Sequence, residues 1–263
     1  MNNYNSMSPS NIREMIRAGK ITGPTAGMSK GYTQANLAIL KKEYAYDFLL
    51  FCQRNPKSCP LVDVTDIGSF VPSSIAKEAD IRTDIPRYRI YKDGVYIKEV
   101  TDITDYWEND MVAFLIGCSF TFETPLLDAG IPIRHIEESC NVPMYKTNIA
   151  CAKAGVFEGP TVVSMRPMSS ADAIRATQIT SRFPGVHGAP IHIGDPIQIG
   201  ITDLTKPDFG DSVTIKDGEV PVFWACGVTP QAVAMQSKPS IMITHAPGCM
   251  FISDLKDEKL SLL

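Results

Sequence analysis

The stretch TVVSMRPMSSADAIRATQIT, residues 161–180, carries the two patterns from which the fold is predicted. Residues 161–168 form a short apolar run of the kind that builds a buried strand. Residues 169–172, SSAD, follow as a capping box, in which the first serine accepts a hydrogen bond from a free amide of the next helical turn. The stretch therefore predicts a strand that leads directly into a helix.

The residues on either side extend this unit. PIHIG (190–194) and IQIGITDL (197–204) are two β-favouring stretches separated by Asp195-Pro196, a typical turn. Residues 161–204 are therefore expected to form a small β-α-β-β unit of two layers. Farther on, VPVFWACG (220–227) predicts a buried strand, Thr229-Pro230 starts a helix, and SIMITH (240–245) predicts another strand.

The N-terminal part begins with Ser8-Pro9, which predicts a helix start. Apolar residues from Leu37 to Phe51 recur at helical spacing and predict a long helix ending at Asn55-Pro56. The segment 87–100 contains Asp93-Gly94 between β-favouring flanks, which predicts a β-hairpin. LVDV (61–64) predicts a short strand.

The stretch MVAFLIGCSFTFETPLLDAG (111–130) is long and apolar, and we interpret it as a buried helix bent near Gly117-Cys118-Ser119. IPIRHI (131–136) is expected to be a strand. The chain is thus predicted to be an α/β protein. A mixed-sheet main domain, residues 1–143 and 219–263, would contain a smaller inserted β-α-β-β domain, residues 144–218. The strands at 131–136 and 222–226 would then share one sheet, with 161–167 in another.

Composition excludes several classes of protein. The 263 residues are 44% apolar and 21% charged, with a net charge of −4, which is typical of a globular chain with a real core. The sequence contains no run of Lys or Arg residues, so a nucleic-acid partner is not expected. The longest apolar run, 111–118, is too short to span a membrane. The N-terminus lacks the features of a secretory signal, so we expect a cytoplasmic protein. Homo-oligomerisation is left open.

The seven cysteines are scattered, form no CxxC pair and are expected to be reduced thiols. The four histidines include no HExxH. No cofactor is therefore predicted. A metal site formed by His187, His192 and Asp195 is kept as an open alternative.

Three polar residues lie where predicted strands end: Arg166, Cys226 and His245. Strand ends followed by helix N-termini bind anions, and a guanidinium can hold both oxygens of a carboxylate. Arg166 is therefore a candidate carboxylate anchor, assisted by amides near Ser169 and Gly227. The alternative, that Arg166 pairs with a structural Asp or Glu, weighs equally.

Proton transfer and nucleophilic attack have their own candidates. His245 and His187 are candidate acid-base residues, although His245 is more often a core or turn residue in such a place. The thiol of Cys226 beside a helix start could have a lowered pKa and act as a nucleophile, while a small core residue is the stronger interpretation. Glu123, at the predicted bend, could have a raised pKa and act as an acid or base, and the alternative is an exposed glutamate at a helix start. Ser119 and Gln231 are candidate orienting donors.

Several strings, in this order along residues 12–256, resemble the bacterial YcsI-like family of hydro-lyases, which is related to a region of mitochondrial D-glutamate cyclase. The strings are GPTAGMSKGYTQANLAIL, FCQRNPKSCPLVDV, DIRTDIPRYRIY, MVAFLIGCSFTFE, IPIRHIEE, NVPMYKTN, VVSMRPM, ITSRFPGVHGAPIHIGDP, FWACGVTPQAV and THAPGCMFISDL. This resemblance implies an α/β protein with a lyase activity, and in the cyclase relative the reaction converts D-glutamate to 5-oxo-D-proline and water. It carries over no catalytic residues.

The residues and the resemblance support two hypotheses about function. The first is a carbon–oxygen lyase (hydro-lyase) or dehydrating cyclase acting on a small carboxylate such as D-glutamate or 5-oxoproline. The second is a non-catalytic binding or regulatory subunit for the same acids in 5-oxoproline metabolism.

Overall fold

The computed structural model describes residues 4–262 and folds them into two antiparallel sheets and six α-helices. The helices are α1 (Pro9–Arg17), α2 (Lys42–Arg54), α3 (Phe120–Asp128), α4 (Arg134–Glu137), α5 (Ser170–Thr180) and α6 (Thr229–Ser237). The strands are β1 (Tyr32–Lys41), β2 (Leu61–Val64), β3 (Tyr88–Lys92), β4 (Val95–Val100), β5 (Met111–Gly117), β6 (Met144–Ala150), β7 (Pro160–Ser169), β8 (His192–Ile193), β9 (Glu219–Ala225), β10 (Ile241–His245) and β11 (Phe251–Lys256). The predicted α/β class is confirmed, although the pairings are antiparallel rather than mixed.

The first sheet has the strand order β2-β5-β1-β10-β3-β4, and β11 also pairs with β1. Its central strand is β1, in which residues 33–40 are all buried. Leu37 and Ile39 face one apolar cluster, and Ala38 and Leu40 face another on the opposite side. The prediction of one helix from Leu37 onward is therefore wrong at its start. A strand that is apolar on both faces shows no alternation, and its apolar residues happen to match helical spacing.

The stretch 111–130 is helical only in its second half, so the prediction is wrong for the first half. Residues 111–117 form strand β5, which pairs with β1 along its length, and only 120–128 form a helix. The break at 117–119 lies where it is predicted. No side chain fits at Gly117, because a Cβ there would lie 2.5 Å from the backbone oxygen of Gly185. The strand therefore ends against another segment of backbone.

The predicted strand at 131–136 is absent from the described chain. Ile131 and Ile133 are buried in the cluster beneath α3 and α5, and α4 follows immediately. The buried Arg134 explains the helical turn, since it bonds Glu137 one turn ahead and the carboxylate of Glu219. Apolar residues at alternate positions here fill a core without joining a sheet.

The second sheet has the order β6-β7-β9-β8. The sequence places residues 222–226 in the first sheet, but β9 pairs with β7 over seven residues, so that expectation is wrong. The inserted domain as such stays a prediction. Only His192–Ile193 of the two expected β stretches is a strand, because Asp195 caps the amide of Ile197 and starts a short 3₁₀ helix at Pro196.

The locally encoded elements are confirmed. Ser8 caps α1, and Ser169 caps α5 by accepting from the amide of Asp172 at 3.1 Å. Asp93 and Gly94 have φ of +49° and +78° in the β3–β4 turn, as a two-residue hairpin requires. Among residues 4–262, no helix combines the length and apolar character needed to cross a membrane.

The two sheets meet where β5 and β9 end. Asn36 of β1 donates through Nδ2 to the backbone oxygens of Ile116 and Gly117, at 3.2 and 2.7 Å. Gly227, just after β9, packs directly on this amide, and a Cβ there would lie only 1.9 Å from Asn36 Nδ2. Close approach of the two strand ends therefore requires glycine at this position.

Replacing Gly227 by alanine is expected to lower the free energy of unfolding by about 1–3 kcal/mol, as overpacking of a tight interior does. The methyl group displaces Asn36 and breaks its bond to Gly117. Urea unfolding followed by circular dichroism measures the change. Gly23→Ala is the matched control, since nothing lies within 4 Å of a Cβ there. Equal midpoints for the two variants would contradict this packing constraint.

Candidate functional site

Two strand-to-helix turns face each other at the junction of the sheets. Cys118 and Ser119 connect β5 to α3, and Cys226 and Gly227 precede α6. The Cys118 Sγ accepts from the amide of Phe120 at 3.5 Å, and the backbone of Val228 bonds Cys226 in the same way. Cys118 and Cys226 pack in one apolar cluster with Phe120 and Val228, and Cys226 contributes to the raised pKa of the Cys118 thiol. The N-termini of two helices from different sheets thus converge on one place.

Arg166 lies beneath this junction and is 1% exposed. Its Nε donates to Glu123 Oε1 at 3.1 Å, and its Nη2 donates to the same oxygen and to Ser119 Oγ. Nη1 donates to Ser164 Oγ at 3.1 Å. The rings of Phe122 and Trp224 lie on the guanidinium, each with its centroid 5.5 Å away. The charge is therefore held by one carboxylate, two hydroxyls and two aromatic faces.

Glu123 completes the cluster from α3. Burial by itself would raise its pKa, but the nearby His135 and Arg166 outweigh burial and lower the pKa to about 2. His135 Nε2 lies 3.2 Å from Glu123 Oε1, although at an angle that forms no hydrogen bond. The expectation of a raised pKa at Glu123 is therefore wrong. A carboxylate that stays ionised is not an acid at neutral pH.

The structure also corrects the place of Arg166. It lies inside β7, opposite Val222, rather than at the end of the strand. Of the two alternatives considered from the sequence, pairing with a structural carboxylate is the one observed. Ser169 pairs with Glu219, at the opposite end of β9 from Cys226, so amides near Ser169 and Gly227 do not converge. Arg166, Ser119 and Glu123 are brought together, whereas Ser169 lies apart.

His187 reaches the cluster from the loop after the 3₁₀ turn Pro184–Val186, with a left-handed φ of +86°. Its Nδ1 lies 2.8 Å from the backbone oxygen of Lys57 and must donate a proton there, so Nε2 is the unprotonated nitrogen. Nε2 is buried and has no hydrogen-bond partner among the described residues. Burial lowers the pKa of His187 to about 4. The ring is therefore neutral, with a free lone pair.

His245 has a different position. Its Nδ1 accepts from the backbone N–H of Leu37 at 3.1 Å, where β1 changes partner from β10 to β11. At this point the ring nitrogen accepts the hydrogen bond that the carbonyl group of a neighbouring strand would otherwise accept from the Leu37 N–H group. Burial lowers the pKa of His245 to about 4. These contacts match the turn-stabilising alternative; Gln231 reinforces the position by donating to the backbone oxygen of His245 at 2.8 Å.

The cysteines of the site are protonated thiols. Burial raises the pKa of Cys226 to about 11 and that of Cys118 still further. The helix N-terminus beside Cys226 does not overcome this loss of hydration, so the expected low pKa is wrong. All seven cysteines are free.

The alternative of a metal site is not supported by the arrangement. His192 Nε2 bonds the backbone oxygen of Asp195 at 2.7 Å, and the Asp195 side chain caps Ile197. Within residues 4–262, no three His, Cys, Asp or Glu side chains are grouped so as to hold a metal ion.

Two charged residues beside α6 are not among the candidates drawn from the sequence. Arg87 and Arg89 lie on one face of the strand region and both bond Glu99, with side chains 43% and 25% exposed. Arg89 Nη1 also lies 3.5 Å from Gln231 Oε1. The string RYR (87–89) indicates that the two arginines lie on one face, because residues i and i+2 of a strand share a face.

Comparison with known proteins matches residues 112–254 to the family model described as D-glutamate cyclase. A protein of Bacillus subtilis named "Putative hydro-lyase YcsI" is 65% identical over 257 residues, covering 98% of this chain and 100% of that protein. Proteins named "Putative hydro-lyase" from Stutzerimonas stutzeri and Bacillus pumilus are 65% and 64% identical, covering 99% and 100% of this chain, and 98% and 100% of their own lengths. Among solved structures, a nitrogen repressor-like protein from Methanococcus jannaschii aligns with 10% identity and a TM-score of 0.39, covering 89% of this chain and 91% of that one.

Removing one partner of the buried ion pair is expected to be costly. Arg166→Met leaves the Glu123 carboxylate buried without its main cation, which lowers the free energy of unfolding by about 3–5 kcal/mol. The double variant Arg166→Met/Glu123→Leu should lose less free energy of unfolding than the two single variants added together. A double-mutant cycle by urea unfolding measures the coupling. The exposed pair Lys153–Glu158 is the control and should give a coupling near zero. Additive losses at Arg166 and Glu123 would refute the pairing.

Acid should destabilise the fold through its buried histidines. His187 and His245 have folded pKa values near 4, below the value of about 6.5 for an unfolded chain. Their contribution is therefore complete above about pH 6.5 and is lost as the pH falls toward 4, because the unfolded state binds protons first. Melting temperature measured against pH should fall less steeply in His187→Asn than in the unchanged protein. An unchanged slope would mean that His187 is not buried in its neutral form.

Proposed function

Because the chain belongs to the D-glutamate cyclase family, we propose that it is a carbon–oxygen lyase, either a hydro-lyase or a dehydrating cyclase. The proposed substrate is a small carboxylate such as D-glutamate or 5-oxoproline. The names of the relatives support the reaction class, and the family description supports the substrate class. The convergence of two helix N-termini at the Cys118 and Cys226 turns is the structural observation on which the proposal rests.

A carboxylate fits this place for electrostatic reasons. Helix N-termini carry partial positive charge, and both α3 and α6 begin here. The amides of Phe120 and Thr121 are bonded to Cys118 and that of Thr229 to Cys226, so the dipoles of the helix ends, rather than free N–H groups of these residues, attract an anion. The guanidinium of Arg166 lies behind Ser119 and is neutralised by Glu123, so it acts by holding the α3 turn in place. In this proposal Arg166 is a positioning residue, and the partial positive charge of the two helix N-termini attracts the substrate carboxylate.

Either reaction needs a proton acceptor and a proton donor. We assign the acceptor role to His187, whose Nε2 has no hydrogen-bond partner among residues 4–262 and whose ring lies close enough to the Gly117 backbone and to Arg166 for both to affect its pKa. It would take the proton from the carbon next to the carboxylate in an elimination, or from the attacking amine in a cyclisation. The C–O bond then breaks, and the departing oxygen needs a proton to leave as water. We assign that donation to the thiol of Cys226, which stays protonated at neutral pH.

The assay uses purified protein with D-glutamate, L-glutamate and both enantiomers of 5-oxoproline. NMR follows ring closure, ring opening and incorporation of labelled oxygen from water. Turnover of at least one of these acids is expected. Binding without turnover would instead favour a regulatory subunit that recognises such acids, and neither binding nor turnover would refute both assignments.

His187→Asn tests the proton acceptor. Asparagine tolerates a positive φ, so the loop should keep its shape, while the ring nitrogen is lost. The kcat should fall roughly 10²- to 10⁴-fold, the usual contribution of a general base, with little change in substrate affinity. His192→Asn is the matched control, because the ring of that histidine bonds the backbone of its own turn and packs on Phe223 rather than on Arg166 or Glu123. Equal kcat values for the two variants would remove His187 from the mechanism.

A further inference from the structure

A partly enclosed cavity of about 100 Å³ lies between the loop 27–32 and helix α3. Phe120, Thr124 and Leu127 line it from α3, at spacings of four and three residues that place them on one face of the helix. Glu123, which contacts Arg166, lies on the same side of α3 but does not line the cavity, and neither do Arg166 and Ser119. The cavity wall therefore contains none of these residues of the Arg166 cluster, and a ligand bound in it goes beyond the proposed lyase function.

Asp257 is the charged group buried in the wall of this cavity, with 8% of its surface exposed. Its Oδ1 accepts from Thr33 Oγ1 at 3.1 Å. Within residues 4–262 it forms no ion pair, unlike the other buried carboxylates Asp84 and Glu123. Burial raises its pKa to about 6, so at neutral pH it is mostly an ionised carboxylate. A buried charge without a counter-charge is expensive unless something pairs with it.

A second hydroxyl lies beside Asp257. Thr121 is 2% exposed, and its hydroxyl lies close enough to Asp257 to lower the pKa of the carboxyl group. The hydroxyls of Thr33 and Thr121 are neutral, so they solvate the carboxylate without neutralising its charge.

The residues of the cavity wall limit which cation can pair with the Asp257 carboxylate. Lys30 lines the cavity, but its Nζ lies 2.9 Å from Asp128 and is already paired. One carboxylate without further acidic ligands does not suit a divalent ion. Met28, Phe120 and Leu127 make part of the wall apolar, and an aromatic ring favours an organic cation over a hydrated metal ion.

We infer that this cavity binds a protonated primary amine with a short apolar stem. The ammonium group donates to the Asp257 carboxylate and to the hydroxyl of Thr124, both of which line the cavity. The stem lies against Phe120 and Leu127. The volume suits a molecule of a few heavy atoms, since one water-sized sphere needs about 10–15 Å³ by the same measure.

Isothermal titration calorimetry of the full chain at about pH 7.5 and constant ionic strength tests the inference with ethylammonium, tetramethylammonium and potassium chlorides. Ethylammonium should bind, whereas tetramethylammonium has no N–H donor and potassium has no stem. Asp257→Asn should weaken ethylammonium binding by about tenfold or more, the usual effect of losing a charged hydrogen-bond partner. Glu258→Gln is the matched control, because this neighbouring carboxylate is exposed.

Thr124→Leu provides a second variant if Asp257→Asn does not fold, since the larger side chain fills the cavity from α3 and should also abolish binding. Lowering the pH from about 7.5 to 5 should weaken binding as Asp257 takes up a proton. The charged groups around Asp257 are Lys30 in the cavity wall and its sequence neighbours Lys256 and Glu258. The inference would be overturned if tetramethylammonium or potassium bound as tightly as ethylammonium. It would also be overturned if the Asp257→Asn and Thr124→Leu variants bound ethylammonium as tightly as the unchanged protein.

Discussion

The guanidinium of Arg166 has to be neutralised inside the protein, and the rest of the junction between the two sheets is arranged around that requirement. Arg166 belongs to β7 of the second sheet, whereas Glu123 and Ser119 belong to the helix and turn that follow β5 of the first. A charge buried to this degree costs several kcal/mol unless it is paired and hydrogen-bonded. The pair therefore fixes the position of α3 and, through Ser119, the shape of the β5–α3 turn.

This arrangement also sets the character of the candidate site. The strong charges cancel each other beneath the turns, and the groups that remain are neutral: two protonated thiols and an uncharged imidazole. The two helix N-termini add partial positive charge at this place. In the proposed function the helix ends attract the anion and uncharged groups move the protons, which is why His187 rather than Arg166 or Glu123 carries the proposed chemistry.

Elements that depend on near neighbours are predictable from this sequence, and elements that depend on distant contacts are not. The Asp93-Gly94 hairpin and the serine-capped helices α1 and α5 depend on residues within a few positions of one another, and all of them are predicted correctly. Strands β1 and β5 are mistaken for helices, because both are buried on both faces and their apolar residues do not show the alternation of a half-buried strand. The prediction for segment 131–136 fails for a related reason, since its isoleucines fill a core without pairing in a sheet.

By itself, the sequence determined the α/β class, the local caps and turns, and the residue types available for chemistry, because each depends on composition or on near neighbours. It identified Arg166, Ser119 and Glu123 as candidates but left open whether Arg166 meets a substrate or a structural carboxylate. Only the tertiary structure decided that question, since Arg166 and Glu123 are 43 residues apart and meet through the packing of two sheets. The same holds for His245, whose ring caps an amide 208 residues away. Contacts of this range arise from strand register and helix packing, in which many weak interactions over the whole chain select one arrangement.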